Sequence, residues 1–349
     1  MASEKSRMRD YGNESISTLK GPDRVRKRPG VIFGSDDIEG CHHAFFEILS
    51  NSIDEARSGF GNKIIVTHYS DDSLEVEDFG RGCPVDWNPI EKRYNWELVF
   101  CELYAGGKYH QDSHYEYSLG LNGLGSCATQ YASEYMDVTV WRDGKKYTLH
   151  FEKGEIVGEM QWEEYKGRRT GSLIKWKPDL EVFTDIKIDE SFFHDILKRQ
   201  AVVNSKVEFV YRREVDGSFE ETVYRYEDGI MDYIKEVAGE NNLSEPHFIQ
   251  AERTGRDRED RPEYKVKMSC VFLFSNKVSL IEHYHNSSYL EYGGSPDKAI
   301  RSAFVTAFDR YLRQNNKYNK DESRVTFGDI QGVKWICFAI TAETSCRRV

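Results

Sequence analysis

The chain has 349 residues, of which 39% are hydrophobic, and this length suits two domains with ordinary cores. It contains no apolar run long enough to span a membrane and no signal-peptide pattern at its charged N-terminus. The formal net charge of −11 argues against a domain that holds DNA by itself, because phosphate contacts require a basic surface.

In the first half of the chain, apolar residues at helical or alternating spacing predict helices between short strands. The clearest helix is predicted at 42–56, and the strands at 63–67 and 73–77 flank a turn typical of a hairpin. Further helices are predicted at 96–104, 126–132 and 191–203, and further strands at 136–142, 146–152 and 172–177. Residues 108–125 are predicted to form a glycine-bearing loop.

The pattern changes near residue 208, where strands begin to alternate with charged turns. Strands are predicted at 207–214, 221–226, 264–275 and 333–341, and a long amphipathic helix at 297–314. The charged run 253–261 predicts a solvated loop without chemistry. We place the domain boundary near residues 222–228, which gives domains of residues 1–225 and 226–349.

Glu47 and Asn51 lie four residues apart on the first long helix, so their side chains share one face. A carboxylate can take a proton from an attacking water, and an amide oxygen can ligate magnesium. Such a pair usually marks only a polar helix face. Here the flanking positions are apolar, so the narrow polar stripe is predicted to face a cleft.

Asp78 follows a strand and is followed in turn by Gly80 and Gly82. A carboxylate in this place can accept a hydrogen bond from the amino group of a base, while the glycines let the backbone approach the ring. The alternative, a plain Asp/Gly turn, is common.

Two glycine-bearing segments could hold phosphate. Lys108 follows Gly106 and Gly107, and the run Gly-Leu-Asn-Gly-Leu-Gly at 120–125 leads into a helix. Converging backbone amides and a lysine cation suit phosphate oxygens. The run is not a Walker P-loop, because G-K-[ST] after a four-residue gap is missing, and it does not follow a strand as a Rossmann turn does.

The histidines and cysteines show no metal-binding pattern. His42 and His43 are adjacent on a helix and point in different directions, and no second Cys/His pair lies at zinc spacing, so a structural role is predicted. The seven cysteines form no C-x-x-C pair, which favours free thiols in a reducing cytoplasm.

Together and in order, these segments resemble the GHKL ATPase region of bacterial gyrase B and topoisomerase IV B subunits. The matching segments of the first domain are Val25-Arg26-Lys27-Arg28-Pro29-Gly30, residues 47–56, residues 78–84, Ala105-Gly106-Gly107-Lys108 and Thr170-Gly171-Ser172. Residues 226–230 and Gly293-Gly294 resemble landmarks of the family's second domain, so the resemblance spans nearly the whole chain.

The resemblance implies an α+β fold: a GHKL (Bergerat) ATP-binding α/β sandwich with an N-terminal dimerisation arm, followed by a partial ribosomal-S5-like transducer domain. The implied function is an ATP-operated clamp of a type II DNA topoisomerase that binds ATP with Mg²⁺, hydrolyses it and forms a homodimer through the arm. The implied partners in the full enzyme are DNA and the DNA-cleaving A subunit, with no membrane contact, in the cytoplasm.

The resemblance also implies a role for each matching residue. Glu47 is expected to be the general base for water attack on the γ-phosphate, Asn51 the magnesium ligand, and Asp78 the acceptor of the adenine amine, helped by Ser172 and an ordered water. The adenine edge is expected to be lined by Glu55, Arg81, Gly82 and Pro84, with Arg142 at the rim. The residues expected to close on the phosphates are Lys108, Tyr115, Gly120, Leu121, Asn122, Gly123, Leu124 and Gly125. Tyr11 is expected to enter the partner's ATP site.

Three features depart from the family pattern. Asn122 replaces the usual lid histidine, and Ser172 replaces a threonine but keeps its hydroxyl. The family's Gln-Thr-Lys loop, whose lysine touches the γ-phosphate, has no match before Val349. The expectation is therefore that the isolated chain binds ATP, hydrolyses it very slowly and dimerises weakly.

Other assignments within the same ATP fold are a sensor kinase or a chaperone or mismatch-repair ATPase. A kinase needs an upstream dimerisation helix with a phosphoacceptor histidine, and the polar residues before Glu47 predict no such helix. The basic run at 24–30 favours a topoisomerase over the chaperones. A different class of function is a nucleotide-binding regulatory or partner-binding module with little or no turnover.

Overall fold

The structure is a computed structural model that describes residues 18–105, 123–256, 258–260, 263–275, 277–333 and 335–344. The helices are α1 (Asp23–Arg26), α2 (Pro29–Phe33), α3 (Ile38–Arg57), α4 (Asn95–Cys101), α5 (Gly125–Tyr131), α6 (Glu190–Val203), α7 (Ile230–Ala238), α8 (Gly294–Gln314) and α9 (Phe327–Val333). The strands up to residue 224 are β1 (Lys63–His68), β2 (Leu74–Asp78), β3 (Trp87–Asn88), β4 (Arg93–Tyr94), β5 (Ser133–Arg142), β6 (Lys145–Glu152), β7 (Glu155–Ile156), β8 (Gln161–Glu164), β9 (Gly171–Pro178), β10 (Glu208–Val215) and β11 (Ser218–Tyr224). The later strands are β12 (His247–Gly255), β13 (Tyr264–Ser275), β14 (Leu280–His285), β15 (Ser288–Tyr289) and β16 (Trp335–Thr344).

The first sheet is a mixed sheet with strand order β11-β10-β1-β2-β9-β5-β6-β7, and β8 also pairs with β6. Strand β1 runs parallel to β10, whereas its pairing with β2 is antiparallel. Helix α3 packs its apolar side on this sheet and on helix α6: the Phe45 ring lies 6.4 Å from that of Trp176 in β9 and 5.1 Å from that of Phe193 in α6. The polar side of α3 therefore lies at the edge of this core.

The second sheet has strand order β12-β13-β16-β14-β15, in which β14 and β16 are parallel. A small apolar cluster of Cys270, Phe304, Phe327 and Ile330 lies between this sheet and helices α8 and α9. Helix α7 has Ile230, Ile234 and Ala238 at four-residue intervals, and all three are buried. They belong to the same apolar cluster as the core of the first sheet, so the apolar interior continues from one sheet to the other.

A polar contact also joins the two sheets. The turn between β14 and β15 is formed by Asn286 and Ser287, both with positive φ as in a type I′ hairpin. Ser287 inserts into a socket formed by Arg57, Gln200 and Asn204. Its carbonyl accepts a hydrogen bond of 3.0 Å from Gln200, and its hydroxyl contacts Asn204 Oδ1 at 3.2 Å and the Arg57 guanidinium.

The predicted α+β class is confirmed, and most predicted elements differ from the observed ones only at their ends. Two predictions need correction. The helix predicted at 96–104 ends at Cys101, and the loop predicted at 253–261 begins within β12, which extends to Gly255. The elements that were not predicted include helices α7 and α9 and strand β14. Within the described residues, no helix is long and apolar enough to cross a membrane.

Candidate nucleotide site

Helix α3 carries Glu47, Asn51 and Glu55 at four-residue intervals, which places them along one face. The Asn51 amide nitrogen donates to the Glu47 carbonyl at 3.1 Å and to the Ser126 hydroxyl at 3.2 Å. These bonds use the nitrogen end of the amide, and the oxygen end is the one that ligates cations. The predicted proximity of Glu47 and Asn51 is therefore observed.

The start of α5 lies directly against Glu47. A Cβ atom added to Gly125 would meet the Glu47 carboxylate oxygen and would lie 2.9 Å from Glu47 Cβ. Only glycine fits here without displacing the carboxylate. Gly125, the last glycine of the predicted lid, is thus in contact with the predicted base.

His43 is one helical turn before Glu47, and its role was missed from the sequence. Its Nε2 lies 3.2 Å from Glu47 Oε1, and its Nδ1 lies 3.0 Å from the Phe33 carbonyl. Both neighbours are acceptors, so both ring nitrogens can donate. The hydrogen bond with Glu47 is the main cause that raises the pKa of His43. The i, i+4 spacing of His43 and Glu47 was the available signal, and the ring orients the carboxylate.

Asp78 lies at the end of β2 and is 7% exposed. Its Oδ1 accepts hydrogen bonds from the Gly80 N–H at 2.9 Å and the Ser172 N–H at 3.3 Å, and its Oδ2 accepts one from the Ser52 hydroxyl at 3.2 Å. Burial raises the pKa of Asp78 to about 6, because the loss of solvation outweighs the three hydrogen bonds that lower it. The carboxyl is therefore poised to titrate just below neutral pH.

The backbone around Asp78 is closely packed. Ser172 accepts a hydrogen bond of 2.9 Å from the Cys83 N–H, so its hydroxyl is held beside the Asp78 carboxylate. A Cβ on Gly82 would lie 2.7 Å from the Trp141 carbonyl and 3.0 Å from Val140. Gly171 has φ of +123°, and a Cβ there would collide with the Asp78 carbonyl. These glycines let three chain segments converge around Asp78.

Glu55 and Arg81 form a bidentate ion pair. Arg81 Nε and NH2 donate to the Glu55 carboxylate at 3.0 and 2.7 Å, and the Arg81 guanidinium lies 4.0 Å above the Phe60 ring. Arg142 donates to the Gly82 carbonyl at 2.8 Å, which places it at the same edge. Pro84 is exposed on the next turn of chain.

The remaining predicted site residues are only partly described. Gly123 has φ of +59° and precedes Leu124 and Gly125 at the start of α5. Tyr11, Lys108, Tyr115, Gly120, Leu121 and Asn122 lie outside the described residues. Across the described ranges, no group of three or more His, Cys, Asp or Glu side chains is arranged to hold a metal.

The sequence of this chain is similar to those of known bacterial proteins. The DNA gyrase B subunit of Thermotoga maritima is 33% identical over 90% of this chain, and the DNA topoisomerase 4 B subunit of Staphylococcus epidermidis is 30% identical over 93%. The chain is similar to DNA gyrase B and DNA topoisomerase 4 B subunits. The family model described as DNA gyrase B matches residues 229–343. The chain covers only 49% and 48% of the two curated relatives, about half their length.

Solved structures of this family share the fold. The 43K ATPase domain of Thermus thermophilus gyrase B, determined with an aminocoumarin, superposes with a TM-score of 0.70 at 28% identity and covers 93% of this chain and 81% of its own. The topoisomerase IV ATP-binding domain of Francisella tularensis gives a TM-score of 0.69 at 25% identity, covering 93% and 82%. The predicted resemblance and the GHKL fold are confirmed.

Proposed function

We propose that this chain binds ATP with Mg²⁺ and hydrolyses it, as the clamp region of a type II DNA topoisomerase. The observation that carries the proposal is the arrangement along α3. Ser52, the residue after Asn51, donates a hydrogen bond to the buried Asp78 carboxylate, and Glu47 lies on the turn before Asn51. From Glu47 to Glu55 the helix rises about 12 Å, a span suited to a nucleotide with its base at one end and its phosphates at the other.

The base end suits adenine. Asp78 offers a carboxylate acceptor in a buried position, and a 6-amino group is a donor. The Ser172 hydroxyl beside it adds a second polar group that an ordered water can share. Glu55, Arg81, Gly82 and Pro84 form the edge of this pocket in the proposal, since the bidentate pair of Glu55 and Arg81 fixes the wall.

The phosphate end suits Mg²⁺ and hydrolysis. Asn51 would supply one oxygen ligand to the ion, which shields phosphate charge when bound. Glu47 removes a proton from the attacking water, and a bond forms between the water oxygen and the γ-phosphorus. The bond from the γ-phosphorus to the β–γ bridging oxygen breaks, so ADP leaves with that oxygen and inorganic phosphate is formed. His43 holds the carboxylate in place through its Nε2 contact. Gly123, Leu124 and Gly125, with Lys108, Tyr115, Gly120, Leu121 and Asn122, close over the phosphates in this proposal.

We further propose that residues 1–225 and 226–349 are the ATP-binding and transducer domains, and that Tyr11 bridges two copies of the chain when ATP is bound. The two sheets support the division, because one contains strands only up to Tyr224 and the other only from His247 onward. Coupling to DNA and to the DNA-cleaving A subunit belongs to the full enzyme in this proposal, and rests on the relatives' function.

The variant Asp78→Asn tests the proposed adenine contact. Replacing an acceptor oxygen by an amide leaves a buried group unpaired, which costs about 1–3 kcal/mol, so ATP affinity should fall roughly 5- to 150-fold. Calorimetric titration with Mg-ATP measures this. Asp216→Asn, in the exposed turn between β10 and β11, is the matched control and should bind as the unmodified chain does. Equal affinity in Asp78→Asn would remove Asp78 from the site.

A further inference from the structure

Arg169 lies two residues before β9 and contacts the other two chain segments that surround Asp78, the end of β2 and the end of β5. Its guanidinium pairs with Glu77 at 2.5 Å, lies 3.5 Å above the Trp141 ring and lies 5.3 Å from the Phe79 ring. Glu77 and Phe79 are the two sequence neighbours of Asp78. One side chain therefore contacts the residues on both sides of Asp78, the proposed adenine acceptor.

These contacts lie on the face of the first sheet opposite α3. Side chains alternate along a strand, and Asp78 points towards Ser52 of α3, so Glu77 points away from it. Val140 borders Gly82 on the pocket side, and Trp141, the next residue of β5, points to the opposite face. Arg169 thus acts from behind the pocket and would not touch a bound nucleotide.

The backbone pairing leaves a gap that Arg169 spans. The ladder between β2 and β9 ends at the pair Glu77 and Leu173, one step before Asp78 and Ser172. The ladder between β5 and β9 continues to Trp141 and Gly171. Ser172 is therefore fixed to β5, whereas Asp78 is not fixed to β9 by strand pairing. Arg169, just before β9, stacks on Trp141 of β5 and pairs with Glu77 of β2. Its side chain therefore links the end of β2 to β5 and β9.

The position of β2 determines one hydrogen bond, from Ser172 to Asp78. The Ser172 N–H to Asp78 Oδ1 distance is 3.3 Å, at the long end of the range for such bonds, so a small displacement of β2 would break it. The same displacement would move the carboxylate away from the place where a 6-amino group must lie. Arginine suits this role better than lysine, because its flat guanidinium stacks and pairs at once.

We propose that Arg169 is a positioning residue for base recognition, which sets the preference of the site for 6-aminopurine nucleotides by holding Asp78 and Ser172 in register. The proposal rests on the proposed function, in which Asp78 accepts a hydrogen bond from the adenine amine. It adds a residue that acts through Glu77, Phe79 and Trp141 from the far face of the sheet.

The test compares Mg-ATP with purine riboside triphosphate, which lacks the 6-amino group, in calorimetric titrations of the full chain. The unmodified chain should prefer ATP by roughly 10-fold or more. Arg169→Gln should lower that ratio about tenfold, chiefly by weakening ATP, with little change for the analogue. Arg169→Lys, which keeps the charge, should recover part of the ratio. Arg168→Gln, at the exposed neighbouring arginine, should leave it unchanged.

The outcomes separate the two proposals. If the unmodified chain binds both nucleotides equally, or neither, the proposed role of Asp78 is wrong and the role of Arg169 is wrong with it. If the unmodified chain discriminates and Arg169→Gln keeps the ratio, or loses both affinities by the same factor, only the role of Arg169 is overturned. Should Arg169→Gln not fold, Arg169→Lys and Glu77→Gln decide, and unmodified ratios in both would overturn the proposal.

Discussion

At the scale of single residues, the proposed role of Glu47 is to act on water and not on the base or the metal. Glu47→Gln keeps the size of the side chain and the contact with His43 but cannot accept a proton at neutral pH. Single-turnover hydrolysis should slow by about 10²–10⁴, while calorimetric ATP affinity stays nearly constant. Glu39→Gln, on the exposed first turn of the same helix, is the control. Turnover within a few-fold of the unmodified chain would place the base elsewhere.

The proposed contact of Asp78 with adenine predicts that nucleotide binding depends on pH. Because burial raises the pKa of this carboxyl to about 6, it is ionised at pH 7.5 and largely protonated at pH 5 in the free protein. The ionised form is the better acceptor for an amine, so the affinity for ATP should fall as the pH drops through about 6. The phosphates of ATP titrate too, and Asp78→Asn corrects for this. The affinity advantage of the unmodified chain over Asp78→Asn should shrink towards pH 5, and a constant advantage would contradict the assignment.

Which site residues could be predicted depends on how they are brought together. Glu47 and Asn51 are neighbours by helical spacing, and Asp78 lies beside two glycines that signal close backbone approach, so local sequence was enough. His43 carried an equally local signal in its four-residue spacing from Glu47, but the sequence predicted only a structural role for the adjacent His42 and His43. Arg169 and Glu77 are 92 residues apart and meet only because of strand order, which no local pattern contains.

At the scale of elements, the contact between α3 and α5 is specified by one glycine. Alanine is the better helix former by about 0.5–1 kcal/mol, yet at Gly125 its Cβ would displace the Glu47 carboxylate. Gly125→Ala should therefore slow hydrolysis by about 10- to 100-fold, because small misplacements of a catalytic group are costly. Gly328→Ala in α9, where the nearest atom would be 3.6 Å away, is the matched control and should be neutral or stabilising. Unchanged hydrolysis in Gly125→Ala would mean that Glu47 tolerates the shift.

The elements that the sequence predicted are those with strong periodicity. Helices α3, α6 and α8 and strands β5, β6 and β9 have a more buried and a more exposed side, which sets the period of apolar residues. Strand β12 is exposed along most of its length, so it has no such alternation, and its conformation is set by pairing with β13. Its last residues were for that reason predicted as a loop. The apolar repeat of α7 covers only nine residues, too few for the pattern to stand out.

At the scale of the whole molecule, the helix that carries Glu47 and Asn51 also touches the second sheet. Arg57, at the end of α3, contacts Ser287 of the β14–β15 turn, and α6 supplies Gln200 and Asn204 to the same socket. Gln200, Asn204 and Ser287 are each at least nine-tenths buried. A movement of the second sheet would therefore be transmitted to the end of α3 through hydrogen bonds that cannot be exchanged for water without opening the interface.

Ser287→Gly tests this coupling, because it removes the hydroxyl and keeps a residue that accepts the positive φ of 65° at this position. Losing buried hydrogen bonds to Asn204 and Arg57 should cost about 1–2 kcal/mol, which lowers the midpoint of thermal unfolding by a few degrees. Relief of backbone strain opposes this loss, and Asp216→Gly, at an exposed residue with φ of 51°, measures that relief alone. The expected result is that Asp216→Gly unfolds at or above the temperature of the unmodified chain, whereas Ser287→Gly unfolds below it and over a wider range, since the two sheets are then less tightly joined. If both variants shift equally, the socket does not couple the sheets, and the continuous apolar interior around α7 alone joins them.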